Sequence, residues 1–213
     1  MKFSEFLNES PLPDSWDKDK YKGRLDFRGM VEYALERSKK IGEGSSRVAF
    51  VIDYKGRETV LKIAKNAKGI SQNKQEISYL KDSDHDDILI PIIDHDVTNI
   101  SPRWIHVEKA EEIEDSYFEK ECGLPLKDFV LFVYRDVHPP KVLANNSTQK
   151  ERGARLNRNS PLVKSLYSLF NKHPDLAYGD IARIQNWGLY NGKAVILDIG
   201  LDSTSLITQQ LRK

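Results

Sequence analysis

Cysteine is almost absent from this sequence. Cys122 stands alone, which excludes an intrachain disulfide and suits a reducing compartment. Nothing near it in the sequence would activate a thiol, so redox and nucleophilic cysteine chemistry find no support. Long apolar runs are missing as well: no stretch approaches the ~20 residues needed to span a bilayer. The opening "MKFSEFLNES" carries acids and lacks the apolar centre of a secretory signal. These absences point to a soluble, intracellular type of chain with no membrane partner. Neither charge is in excess, since 33 basic side chains face 32 acidic ones for a net +1, so bulk charge argues for neither nucleic acid nor membrane. His85, His95, His106, His138 and His173 show no zinc spacing. The acidic run "DSDHDD", residues 82–87, lacks the glycine and terminal glutamate of a calcium loop and reads as a polar connector.

What is present suffices for a folded body. The 213 residues, 39% of them hydrophobic, suit one domain or one compact two-lobed unit. Residues 10–27 are polar and proline-marked, an extension or linker. "RGMVEYALERSKK" places Met30, Tyr33, Ala34 and the stem of Arg37 at helical spacing, predicting a helix that ends near Lys40. The period then changes. "RVAFVIDY" and "TVLKIA", joined through Gly56, predict an antiparallel hairpin. A helix over "ISQNKQEISYLK" follows, then strands over "ILIPIIDHD" and "RWIHVEKAE". The second half offers apolar helices in "LPLKDFVLFVYRDV" and "SPLVKSLYSLFNKH". Between them, residues 141–158 form the most basic stretch, either a solvated loop or a docking surface for an acidic partner. A hairpin, "NWGLY" and "KAVILDIG" around an "NGK" turn, and a brief helix end the order. Trp104 and Trp187 read as core.

Several residues in this order have chemical potential. In "GEGSSRVAF", Gly42 and Gly44 permit a tight turn whose backbone N–H groups, with Ser45 and Ser46, can approach phosphates. The loop leads into a strand, so it is not a dinucleotide fingerprint, and it lacks the ending of a Walker loop. Arg47 stands where a third glycine would complete the pattern; it could reach a phosphate or clamp the loop. Lys62 lies between Leu61 and Ile63 and so points to the opposite face of its strand. Helical spacing puts Glu76 on one face with Asn73 and Leu80. Near the C-terminus, Asp180, Asn186 and Asp198 are a candidate base and two candidate metal ligands, although each alone is equally a cap or turn residue.

Taken together, residues 41–201 resemble the protein-kinase-like superfamily. "GEGSSRVAF" is similar to its glycine-rich loop, "VLK" to its ATP-contacting lysine strand, and Glu76 to its helix glutamate. "WIHVEKAEE" resembles the strand into the hinge, where backbone groups from Glu108 to Ala110 would meet adenine. "GDIARIQN" resembles the catalytic loop and "LDIGL" the metal-binding Asp-Phe-Gly motif, with Ile199 in place of Phe. The resemblance implies an α+β fold: a five-stranded antiparallel N-lobe over 41–110, a reduced helical C-lobe over 111–213, and a nucleotide cleft. It implies ATP and Mg²⁺ as ligands, with Lys62 orienting phosphates, Glu76 holding Lys62, Asp180 as base, and Asp198 and Asn186 on the metal.

The departures matter equally. Tyr178 and Gly179 stand where His-Arg precedes the family's catalytic aspartate, and Asn186 follows Asp180 by six positions where the family has five. Residues 201–213 leave no room for an Ala-Pro-Glu activation segment. This pattern is closer to small divergent kinase-like proteins of phages and bacteria, which implies the cytoplasm of a bacterial host. Residues 1–9 are similar to leaders of head-packaged proteins of large tailed phages, where Leu7-Asn8-Glu9 implies a cut before Ser10. Residues 10–40 would then be an extension carrying one helix. Three readings stay open: an active kinase acting on a protein or small molecule, a non-catalytic pseudokinase or virion module, and a nucleotidyl transferase.

Overall fold

A computed structural model of the chain describes residues 27–80, 87–96, 101–139, 151, 153–174, 176 and 178–199. The leader, most of the linker, most of the 82–87 run, most of the basic stretch, Gly200 and the C-terminal helix expected from the sequence lie outside these residues. The fold is α+β, and the chain divides into two compact units: Met1–Ser78 with Pro91–Lys109, and Tyr79–Ile90 with Ala110–Lys213.

The first unit is built on a five-stranded antiparallel sheet of order β1-β2-β3-β5-β4. Its strands are β1 (Lys39–Glu43), β2 (Arg47–Asp53), β3 (Glu58–Ala64), β4 (Ile92–His95) and β5 (Trp104–Glu108). The β2–β3 hairpin turns through Lys55 and Gly56, both at positive φ (57° and 76°), the backbone hand that suits strand twist. Its register pairs Phe50 with Leu61 and Ala49 with Lys62. Alternation therefore sends Val48, Phe50, Ile52, Leu61 and Ile63 to one face, where they pack with Trp104 against helix α1 (Phe27–Arg37) through Met30, Tyr33 and Ala34. Arg47, Ala49 and Lys62 fall on the other face.

Two boundaries differ from the sequence expectation. The first helix stops at Arg37, not near Lys40, because Lys39 and Lys40 pair with Val51 and Phe50 as the start of β1. Strand pairing here outweighs the helix propensity of lysine. The apolar run "ILIPIIDHD" is not one strand. Pro91 has no N–H to give a ladder, and β4 begins only at Ile92 while residues 88–90 serve the second unit.

The second unit holds helices α3 (Asp115–Cys122), α4 (Leu126–Val137), α5 (Pro161–Lys172) and the short α6 (Tyr178–Ile181), with hairpin β6 (Trp187–Tyr190) and β7 (Lys193–Ile196). Asn191 and Gly192 turn that hairpin at φ 51° and 76°, the geometry that the "NGK" signal predicts. Each edge of the hairpin takes up a distant segment. Ile196 donates to the Ile88 carbonyl and accepts from Ile90, and Glu111 exchanges both backbone hydrogen bonds with Leu189. Phe118, Phe129, Val133, Leu166, Phe170 and Trp187 are among the residues of its core. Cys122 lies in that core, where burial pushes its thiol up to about 12 against an opposing hydrogen bond with Ser160.

Helix α2 (Ala67–Leu80) is held close to the first sheet by a missing side chain: a Cβ on Gly69 would stand 2.2 Å from the Ser46 carbonyl oxygen and 3.1 Å from Ala64 Cα. Both obstacles are backbone. Gly69→Ala is therefore expected to destabilise the protein by about 1–3 kcal/mol through overpacking. Gly42→Ala, where a Cβ meets nothing within 4 Å, should change stability by no more than about 0.5 kcal/mol. Urea unfolding of both variants checks this, and equal midpoints would contradict it.

Candidate functional site

The first unit brings Lys62, Glu76 and Arg47 together. Lys62 projects from β3 and Glu76 from α2, and their Nζ and Oε2 atoms are 3.1 Å apart. Glu76 carries a second cation: Arg47 Nη2 lies 2.6 Å from Oε1. All three side chains are about nine-tenths buried, at 11% exposure for Lys62, 8% for Arg47 and 7% for Glu76. At that burial the interaction is weakly screened, and an unpartnered charge would be costly. Arg47 also donates to Asn73 Oδ1 at 3.2 Å, and Asn73 in turn donates to the Pro102 carbonyl at 3.0 Å. The guanidinium of Arg47 thus grips two positions one turn apart on α2.

Arg47's place in this cluster follows from strand register. Counting outward from the turn, Asp53 opposes Glu58, Ala49 opposes Lys62 and Arg47 opposes Ala64, which puts Arg47 two residues along from Ala49 on the Lys62 face. That count is available in the sequence once the turn is fixed at Lys55-Gly56. Asn73 has no comparable signal beyond its spacing from Glu76.

The glycine turn before β2 is fastened from behind. The carbonyls of Gly44, Ser45 and Ser46 accept from Lys65 Nζ (3.2 Å), Asn66 Nδ2 (2.9 Å) and the Lys65 backbone N–H (2.7 Å). Ser46 Oγ is 2.5 Å from Gln72 Oε1 on α2, and Gly44 gives its own N–H to the Arg47 carbonyl at 2.9 Å. Glu43 pairs with Lys65 at 2.6 Å and with Lys40 at 2.9 Å. Gly42, Gly44 and Ser45 are exposed and Ser46 is buried. Three successive carbonyls of the turn are thus held by Lys65 and Asn66.

In the second unit, the three polar candidates are linked through backbone. Asn186 Nδ2 donates to the Asp180 carbonyl at 2.8 Å, and Leu197, the neighbour of Asp198, donates its N–H to the Asn186 carbonyl at 2.7 Å. A 3₁₀ turn at Ile184–Asn186 leads from this loop into β6. Asp180 Oδ1, half-buried, is 3.1 Å from Nη1 of the exposed Arg183, a largely solvated pair of the kind worth little to stability. Beside it, the ring of Tyr178 stacks on Tyr134 with centroids 4.7 Å apart. Trp187 is buried and anchors the loop by donating its indole N–H to the Ile181 carbonyl at 2.6 Å.

Glu108 and Ala110 belong one to each unit. Glu108 gives its N–H to the Pro91 carbonyl at 3.0 Å, and its carboxylate accepts from Arg57 Nη1 at 2.6 Å. Ala110 packs where a Cβ on Gly188 would be, 2.7 Å away.

Among the described residues, no group of three or more His, Cys, Asp or Glu could hold a metal ion by itself. Mg²⁺ takes one or two protein carboxylates when phosphates complete its shell. Asp198 and Asn186 would offer such an ion one carboxylate and one amide oxygen, and the N–H of Leu197, next to Asp198, meets the Asn186 carbonyl at 2.7 Å. No protein-family model matches the chain, and no curated protein matches it.

Two outcomes follow from this geometry. Glu76→Gln keeps the shape but removes the shared anion, so it should cost about 3–5 kcal/mol in urea unfolding. Lys62→Met, which leaves Arg47 to balance Glu76, should cost less than half of that; equal losses would contradict the shared-anion geometry. For Glu43, hydrogen bonds from Lys65 and then Lys40 lower the carboxyl from 4.5 to about 2. The folded value lies below the unfolded one, so the contribution of this tether is present above about pH 4.5 and lost as pH falls towards 2. An NMR titration of the Glu43 carboxyl should give a midpoint near 2; a midpoint above 4 would show that the tether is absent.

Proposed function

We propose that this chain is a kinase-like protein of two-lobed architecture that binds Mg-ATP and passes its γ-phosphoryl group to an acceptor hydroxyl on a protein or small molecule. The observation that carries this reading is the buried Lys62–Glu76 pair beside a fastened glycine turn. A buried ion pair adds little net stability, so an ammonium held this way is better accounted for by a ligand with phosphate charge. Lys62 would orient the phosphates and Glu76 would hold Lys62 in place. The amides of Ser45 and Ser46 and the exposed Ser45 hydroxyl would receive phosphate oxygens, the Ser46 hydroxyl being given to Gln72. Glu108 and Ala110 are the proposed adenine contacts through their backbone.

Asp180 would accept the acceptor's proton as its oxygen bonds to the γ-phosphorus and the bond from that phosphorus to the departing ADP oxygen breaks. Asp198 and Asn186 would hold Mg²⁺, which when bound offsets charge on the triphosphate. A second reading, nucleotide binding without transfer, is favoured by the Asp180–Arg183 pair, because a carboxylate oxygen that would take the acceptor's proton is already engaged by a guanidinium.

Incubation with γ-labelled and α-labelled ATP plus Mg²⁺, alongside a thermal-shift assay, tests these readings. The wild type is expected to transfer γ label, and Lys62→Ala and Asp198→Ala each to lower transfer on the order of 100-fold. Thermal stabilisation by ATP without transfer would favour the binding module. Transfer of α label alone would mean nucleotidylation. Neither transfer nor stabilisation would end the nucleotide reading altogether.

A further inference from the structure

We infer that Arg47 is a positioning residue that locks α2 onto the sheet, so that Glu76 is held on Lys62 before any ligand or partner arrives. The second half of this inference, that the lock serves phosphate binding, rests on the nucleotide reading; the lock itself does not.

The attachment between the end of the glycine turn and α2 has four points within two residues of turn. Ser46 Oγ meets Gln72 Oε1 at 2.5 Å, and the Ser46 carbonyl abuts Gly69. Arg47 meets Asn73 at 3.2 Å and Glu76 at 2.6 Å. Positions 69, 72, 73 and 76 recur at helical spacing, so they form one stripe of α2. Arg47 supplies the two contacts nearest Lys62, and its planar fork can bridge an amide and a carboxylate at once. A lysine at this position keeps the charge but cannot make both contacts.

A helix that carried its glutamate only on Lys62 could swing away by breaking one pair. Here the glutamate has a second anchor on a neighbouring strand, and Asn73 extends the hold to Pro102. Displacing α2 means breaking both cation contacts in a buried setting. The helix is therefore preset: the turn, Arg47, α2 and Lys62 behave as one block. A third glycine in place of Arg47 would leave the turn attached to α2 through Ser46 alone.

Native-state hydrogen exchange on the full chain tests the lock without any nucleotide. Arg47→Lys is the main variant and Arg47→Met the stronger one. In Arg47→Lys, amides at residues 72–78 of α2 should exchange on the order of 10-fold faster, with those of β2 and β3 changed less than about two-fold. Unchanged α2 protection would overturn the inference. So would an equal loss across helix and sheet, which marks a merely structural role.

ATP affinity by calorimetry addresses the second half through a double-mutant cycle. Arg47→Lys should weaken ATP about 5–10-fold in the wild-type background and less than about two-fold beside Lys62→Ala, since the effect passes through Lys62. Equal weakening in both backgrounds would mean that Arg47 acts on the ligand directly, and would overturn the positioning role. If the wild type binds no ATP, the nucleotide reading fails and the exchange result alone decides the lock.

Discussion

The first unit is organised around a single buried carboxylate. Glu76 accepts a hydrogen bond from Lys62 on β3 and forms an ion pair with Arg47 on β2, and each charge offsets the cost of burying the others. The consequences run outward through the chain. The β2–β3 register must place Arg47 and Lys62 on one face, which requires the turn at Lys55 and Gly56. Helix α2 must approach closely enough for Glu76 to reach both cations, which requires Gly69 against Ser46. The apolar material then has the opposite face, where α1 covers Phe50, Leu61 and Ile63.

The second unit meets a different constraint. Its hairpin has only two strands, a size that is marginal alone, and it takes its stability from segments added at both edges. Residues 88–90 and Glu111 supply those edges. Gly188 exists for the second of them, since a Cβ there would stand 2.9 Å from the Glu111 carbonyl oxygen. The loop from Asp180 to Asn186 is then tied to the hairpin at its root by Trp187 and by the Leu197 N–H. Asp180 and Asn186 are joined through the Asn186 side-chain amide, and Asp198 follows the residue whose N–H meets the Asn186 carbonyl.

Much of this was legible in the residues. Alternation in "TVLKIA" put Lys62 opposite its apolar neighbours, helical spacing put Asn73 and Glu76 together, and two turn signals located both hairpins. The less legible parts share a physical cause: they depend on pairing with distant residues. "ILIPIIDHD" looks like one strand until Pro91 divides it between two sheets. Lys39 and Lys40 look helical until Val51 and Phe50 are found beside them. Helix α3 left little trace, because "DSYFEKEC" buries only Phe118 and Cys122 and its end is marked chiefly by Gly123 at φ 80°. For Arg47 the loop pattern leaves a phosphate contact and a clamp equally open, because its partners Asn73 and Glu76 lie on a helix well over twenty residues on.

Cys122 has a practical consequence. With its thiol raised to about 12 and its side chain in the core, it stays protonated and shielded at neutral pH, where maleimides and other thiol probes react with exposed, ionised cysteines. The chain therefore behaves as if it were cysteine-free towards such probes. A cysteine introduced at exposed Leu35 in the first unit, or at exposed Tyr178 in the second, would take a fluorophore or spin label selectively with the native cysteine left in place.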